Sequence, residues 1–489
     1  MNDVAPGQVY KTVSGHLYHA GKICLVMVGL PGRGKTNHAV ALTRYLRWLG
    51  IRAQAFHLAN YRRAILSPDE EVSVDYFKRA NPSQDHSALR QKVLDACLDD
   101  IWAFYRDGGQ VVIYDASNPR QEDRARISGL CKEHGVEALF IESLVTNEAL
   151  LARNINEVPL TSPEYSRMSR NEAMRHFLRI LDVRISEYEP LTEKELLYIK
   201  IINDGERCVV NNGPLGYLLN RVLLFLLNSR RQQGSFFFAR AGTTGVPNEP
   251  LRSDNDLSEE GKEYARTLAR TLMNYTSSRH FDQLAREVGK TSFARYTDTR
   301  SSLMPSRSGS GLSTPALSQP ETPTYAPLIV WTSTRSKTIQ TSKPFVDAGI
   351  PTSHDPLLNQ LNAGEAGKYS RAEFKEKTLE AQKDPYHHRY ASGESYQDVA
   401  IRLEPVIMEL ERVQGDLLII AHESVLRVLF GYLMNSSTED IPSLQFPASE
   451  IVEIVAHGHR KSCNRIPIPG ASADGGVKIT PHQPIKSIV

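Results

Sequence analysis

Cysteine is scarce in this 489-residue chain: Cys24, Cys97, Cys131, Cys208 and Cys463 are odd in number and form no CxxC pair. That pattern suits free thiols in a reducing compartment better than a disulfide framework or a cysteine-held zinc site. An excess of charge is missing too, since 58 Lys+Arg stand against 56 Asp+Glu for a net of +2. Binding to nucleic acid or to a membrane surface by charge alone is therefore not expected. No run approaches the roughly 18 apolar residues of a membrane span. The longest candidate, around Leu223–Leu227, stops at Asn228. Residues 1–21 show neither an apolar core nor a small-residue cleavage site, so the expectation is a cytoplasmic protein. What remains is an ordinary globular composition, 40% hydrophobic and 23% charged, in a chain too long for one core to serve comfortably.

Short apolar runs alternate with longer helical patterns from Lys22 onward. Ile23–Val28, Ile51–Leu58, Val111–Tyr114, Ala138–Ile141 and Ile199–Ile202 read as buried strands, and Thr36–Leu49 and Ser87–Asp107 as helices. This alternation predicts a parallel, doubly wound α/β sheet. A second α/β block begins near Ser235–Ala239, with strands at Leu328–Trp331 and Leu417–Ile420 and a helix at Gln397–Val413. Within it, 17 of the 27 residues of Ser301–Pro327 are Ser, Thr, Pro or Gly. Such a stretch buries too little apolar surface to offset its ordering entropy and is expected to be a disordered insertion. Its Ser313-Thr314-Pro315 and Thr322-Pro323 present hydroxyls to proline-directed protein kinases. The residues after about 455 read as a tail.

Gly29-Leu-Pro-Gly-Arg-Gly-Lys35-Thr36 matches GxxxxGK[ST] between an apolar strand and a helix, the context in which a phosphate loop works. Glycines there let backbone N–H groups turn toward phosphates, and the helix N-terminus adds positive potential. Lys35 is expected to neutralise the β/γ-phosphates and Thr36 to ligate Mg²⁺, with Asp115 at the end of Val111–Tyr114 in the metal-holding position. Tyr61-Arg62-Arg63 and Arg90 offer guanidinium groups to an anionic acceptor.

These residues resemble a known family. Gly29–Thr36, Tyr61–Arg63, Tyr114–Asn118 and Phe140–Ser143 look like the kinase half of bifunctional 6-phosphofructo-2-kinase/fructose-2,6-bisphosphatase. Trp331–Ser333 with Thr338–Thr341, Gly393–Asp398 and Leu403–Arg412 look like its other half. The resemblance spans about residues 20–455. It implies an N-terminal extension (1–20), a P-loop kinase domain (21–228), a histidine-phosphatase-like, phosphoglycerate-mutase-like domain (229–455, insertion 301–327) and a tail (456–489). It also implies ATP and Mg²⁺ as cofactors, fructose 6-phosphate as acceptor, and a homodimer. Carried over residue by residue, the nucleotide site comprises Gly29, Gly32, Gly34, Lys35, Thr36, Asp115 and Asn154, and the sugar-phosphate side Arg62, Arg63, Arg90, Ser117 and Arg179. In the family's pattern a substrate-binding lysine stands where this chain has Pro159, and a reactive-site cysteine where it has Val145. One register of the following helix gives Ile180 and Arg184 at the family's arginine and tyrosine; the next gives Arg179.

The second half departs further. The family's Arg-His-Gly supplies a histidine that is phosphorylated covalently, and here the segment is Arg240-Ala241-Gly242. Alanine has no lone pair to attack phosphorus. The family's proton-donating glutamate is matched by Gln360, and an amide cannot deliver that proton. Tyr396, His422, Arg427 and Arg240 remain as a phosphate-binding remnant. The expectation is an ATP-dependent sugar-phosphate kinase making fructose 2,6-bisphosphate with an inactive bisphosphatase half. The alternative is a non-catalytic regulator that binds nucleotide or sugar phosphate.

Overall fold

The structure, a computed structural model, describes residues 21–66, 72–78, 84–213, 216–246, 249–288, 328–370, 373, 379–458 and 460–470. The expected N-terminal extension, the insertion with its hydroxyl-proline pairs, and the chain beyond 470 lie outside the described residues.

The first domain contains β1 (Lys22–Val28), α1 (Lys35–Trp48), β2 (Ala53–His57), α2 (Leu58–Ile65), α3 (Gln84–Arg106), β3 (Val111–Asp115) and α4 (Gln121–Glu133). It continues with β4 (Val136–Leu144), α5 (Glu148–Thr161), α6 (Arg170–Ser186), β5 (Tyr198–Ile202), β6 (Arg207–Asn211) and α7 (Tyr217–Asn228). The strand order is β2-β3-β1-β4-β5-β6. All pairs are parallel except β5 with β6. The sheet is the expected parallel, doubly wound one, with a single antiparallel pair at its edge. Alternation along β1 explains both layers: Leu25 and Met27 enter the core under α1 and α7, while Cys24, Val26 and Val28 enter the core under α3 and α4. Because β1 has β3 on one side and β4 on the other, the connections diverge there, and a crevice opens at the strands' C-terminal ends.

The second domain holds β7 (Ser235–Arg240), α8 (Glu259–Val288), β8 (Ile329–Thr332), α9 (Ser336–Asp347), β9 (Thr352–His354), α10 (Tyr396–Arg402), α11 (Glu404–Arg412), β10 (Leu417–Ala421) and α12 (Glu423–Met434). It closes with β11 (Glu450–His457) and β12 (Arg460–Pro467). Its order is β12-β11-β7-β10-β8-β9, with β11 antiparallel to both neighbours. Two expectations are corrected here. The segment from 456 is no tail as far as 467, because it pairs residue by residue with β11. The single helix over 397–413 is two, parted at Leu403, since Pro405 has no N–H to continue the first helix's ladder.

The domains are tied by buried ionic contacts. Arg44 on α1 donates to Glu411 on α11 at 2.5 Å, and the Tyr432 hydroxyl donates to the same carboxylate at 2.6 Å. The Tyr45 hydroxyl reaches Glu404 at 3.0 Å. Trp48, the last residue of α1, sits in the second domain's core against Tyr432.

Candidate active site

A cavity of about 460 Å³ lies at the C-terminal ends of β1, β2 and β3. The phosphate loop forms its floor. Gly29, at φ +135°, passes so close to β4 that a Cβ would stand 2.7 Å from the Ser143 carbonyl oxygen. Gly34, at φ +88°, caps α1, and both conformations are costly for any side chain but glycine's. The loop thereby directs the first turn of α1 into the cavity.

Lys35 bends back over this loop and donates to the Leu30 carbonyl at 2.8 Å. Burial pushes its ammonium down to about 8, the charges of Arg184 and Arg33 act in the same direction, and Asp115 opposes them. Thr36 donates its hydroxyl proton to Asp115 at 2.7 Å, and His57 Nδ1 contacts the same carboxylate oxygen at 2.8 Å. Burial alone would raise the Asp115 carboxyl. The His57 hydrogen bond and charge, Lys35 and Thr36 outweigh it and hold the group below its ordinary value. Thr36 and Asp115 thus converge as hard oxygen donors, a set that fits Mg²⁺, which takes one or two protein oxygens and completes its shell with phosphates and water.

Arg62, Arg63, Arg90 and Ser117 line the same cavity. Their charges are partly engaged. Arg62 pairs with Glu164, which Arg63 also approaches at 3.4 Å. Arg90 donates to the carbonyls of Tyr76 and Lys78 at 2.7 and 3.2 Å. Arg179 is exposed and does not line the cavity, whereas Arg184 does, its guanidinium 4.6 Å from the Phe77 ring centre. Ile180 packs in a cluster with Tyr76 and Phe77, so on this helix it is Arg184, five residues beyond Arg179, that reaches the cavity. Asn154 is 1% exposed and lines the same cavity. His57, Glu164 and Arg231 are functional neighbours that sequence reasoning missed. Only His57 carried a signal, as the last residue of a strand beside the one ending at Asp115.

The second site occupies the matching position in the other sheet. Register pairs Ala421 with Arg240, which brings Ala241 and His422 to the ends of adjacent parallel strands. Burial drives the His422 imidazole down to about 3, helped by the charges of Lys337, Arg335 and Arg240. Its Nε2 is buried with no partner among the described residues. Burial lowers the Lys337 ammonium as well, with Arg240 and Arg335 adding to the effect. Arg427 is held by the Tyr396 hydroxyl at 2.8 Å, Glu423 at 2.9 Å and the Leu444 carbonyl at 2.6 Å. Gln360 donates its amide to the Leu251 carbonyl and lines a cavity of about 530 Å³ with Arg252, Arg335 and Arg402. The pocket is rich in cations.

A phosphate loop with its lysine, hydroxyl and strand-end aspartate, joined to a second α/β sheet with a histidine and arginines at its strand ends, defines a P-loop kinase fused to a histidine-phosphatase fold. Comparison with known proteins agrees. The 6-phosphofructo-2-kinase family model matches residues 10–233, and that of the histidine phosphatase superfamily (branch 1) matches residues 320–468. A Saccharomyces cerevisiae protein named “Putative 6-phosphofructo-2-kinase/fructose-2,6-bisphosphatase” is 37% identical over 457 residues, covering 92% of this chain and 84% of its own. Human 6-phosphofructo-2-kinase/fructose-2,6-bisphosphatase 1 is 32% identical over 445 residues, 89% of this chain and 82% of its own. This chain belongs to the 6-phosphofructo-2-kinase/fructose-2,6-bisphosphatase family. Among solved structures, the alpha-ribazole phosphatase of Shigella flexneri aligns at 15% identity and a TM-score of 0.34, over 49% of this chain and all of that one. No helix among the described residues is long and apolar enough to cross a membrane.

Proposed function

We propose that the chain phosphorylates the 2-hydroxyl of fructose 6-phosphate from ATP, giving fructose 2,6-bisphosphate, and that its second half does not hydrolyse that product. The observation that carries the kinase reading is the Thr36–Asp115 contact at 2.7 Å beside Lys35, all within one cleft. Thr36 and Asp115 would hold Mg²⁺, which when bound neutralises charge on the transferring phosphoryl group. Lys35 binds the phosphates, the loop amides orient them, and the arginines of the acceptor side place the sugar phosphate for in-line attack. Phosphoryl transfer asks for little more than such positioning and charge stabilisation.

The opposite argument applies to the second half. Among the described residues beside His422, Ala241 stands where a nucleophile is needed, and its loss costs on the order of 10⁶ in turnover. Gln360 in place of a proton donor removes a further factor of about 10²–10⁴, although two groups serving one step need not multiply. The cations around His422 still suit a bound phosphate, so the domain reads as a binding module.

One observation favours the alternative of a non-catalytic binder: Glu164 already pairs with Arg62, and backbone carbonyls already accept from Arg90. Incubating the protein with ATP, Mg²⁺ and a panel of sugar phosphates decides between them. A new ester on fructose 6-phosphate is expected, and no product from any acceptor would leave the binder reading standing. Phosphate release from fructose 2,6-bisphosphate should be undetectable. Turnover that disappears in His422→Ala would refute the inactive half.

A further inference from the structure

One wall of the kinase cleft comes from the segment that joins the two sheets. Arg231 lies between α7 and β7, in the linker joining the two domains, and lines the cavity together with Gly32 and Lys35. Its Nη1 donates to Oδ1 of Asn154, and its Nη2 pairs with the Glu157 carboxylate. Those two residues are three apart on α5 and so share a face. That helix abuts the phosphate loop, since a Cβ on Gly32 would stand 3.6 Å from Ile155 Cγ1.

Arginine carries donors and no acceptor, so the Asn154 atom that faces it must be the oxygen. The amide nitrogen is thereby turned the other way. It is buried and has no partner among the described residues, while Asn154 as a whole is 1% exposed and lines the cleft. A buried donor without an acceptor is unfavourable, and a ligand bringing an acceptor atom relieves it.

We infer that Arg231 is a positioning residue of the nucleotide site: it locks Asn154 so that Nδ2 is presented to an acceptor atom of a nucleoside triphosphate. The inference rests on reading the cleft as a nucleotide site. It makes nucleotide affinity depend on how the second domain is seated, because the linker is anchored on both sides. Arg230, next in the chain, gives its backbone N–H to the Glu411 carbonyl of the second domain at 2.9 Å and its guanidinium to the Asp204 carbonyl of the first at 3.0 Å.

Calorimetric titration of the full-length protein with Mg-ATP tests this in four variants. Arg231→Ala and Asn154→Ala should each weaken binding about 5- to 30-fold, the loss of one buried hydrogen bond. Because one acts through the other, the double variant should bind no more weakly than Asn154→Ala alone. Arg231→Lys keeps a donor and should recover much of the affinity, which a purely steric role would not show. Arg231→Met serves if the alanine variant does not fold. Wild-type affinity in Arg231→Ala or Arg231→Met, or losses that multiply in the double variant, would overturn the inference alone. Absence of ATP binding by the unmodified protein would overturn both it and the nucleotide-site reading.

Discussion

Raising the pH from 7 to 9 should weaken Mg-ATP binding about tenfold, and the reason lies in one side chain. Lys35 is held at about 8 in the cleft, chiefly by burial, with Asp115 opposing and Arg184 and Arg33 adding to the effect. At pH 7 it is then about 90% charged and at pH 9 about 10%, the ratio that a single titration centred on 8 dictates. Triphosphate binds the ammonium form and raises its pKa, so affinity tracks the charged fraction of the free protein. At pH 8 each binding event should draw about half a proton from the buffer. Calorimetry in two buffers of different ionisation enthalpy measures both quantities at once. Linkage also fixes the sign for folding in the absence of nucleotide. Between about 8 and the ordinary 10.5 of an unfolded lysine, the unfolded chain holds more protons, so this residue's contribution to stability rises with pH across that window. Lys35→Met should bind ATP weakly and with no slope. Affinity that stays flat from pH 7 to 9, or an equal slope in Lys35→Met, would show that this lysine is not the group that meets the phosphates.

Two further outcomes follow from the buried charges. Glu411 accepts from Arg44 and Tyr432 in the domain interface, so Glu411→Ala strands a buried guanidinium and should cost about 3–5 kcal/mol in chemical denaturation. A loss below about 1 kcal/mol would mean the pair is not buried in solution. His422, held neutral down to about 3, should make the protein acid-sensitive: from about 6.5 down to 3 the unfolded chain takes up a proton that the folded one refuses, so stability falls as pH falls. His422→Gln should flatten that part of the pH profile, and an unchanged profile by denaturation at pH 7 and 4 would count against a buried imidazole.

β1, β2 and β3 were legible to within two residues and β4 to within three, and the clearest of them, β1 and β3, are short apolar runs. The phosphate loop was legible because its spacing and its strand–helix context coincide. β6 escaped notice since Arg207–Asn211 is an exposed edge with little apolar pattern, and β12 since Arg460–Pro467 carries lysine, arginine and asparagine on a half-exposed strand. Their pairing is supplied by neighbours, not by their own composition. Arg179 was misplaced because α6 carries arginines at 170, 175, 179 and 184, and the position around the helix decides which reaches the cleft. Arg231 had no signal at all, as an arginine in a linker gives no hint of a partner 77 positions earlier.

The helix that begins at the phosphate loop ends inside the other domain. Fourteen residues of α1 amount to a rod of about 21 Å, with Lys35 at one end and Trp48 at the other. Trp48 is 4% exposed and meets the Tyr432 ring edge-on at 5.4 Å; of the chain's other two tryptophans, Trp102 packs in the first domain and Trp331, on β8, packs half-buried against the same second-domain core. The protein therefore carries a native fluorophore at the domain junction, rigidly connected to the nucleotide site. A shift of the second domain that wets this indole would redden its emission, which makes the communication between the halves readable by light without a label.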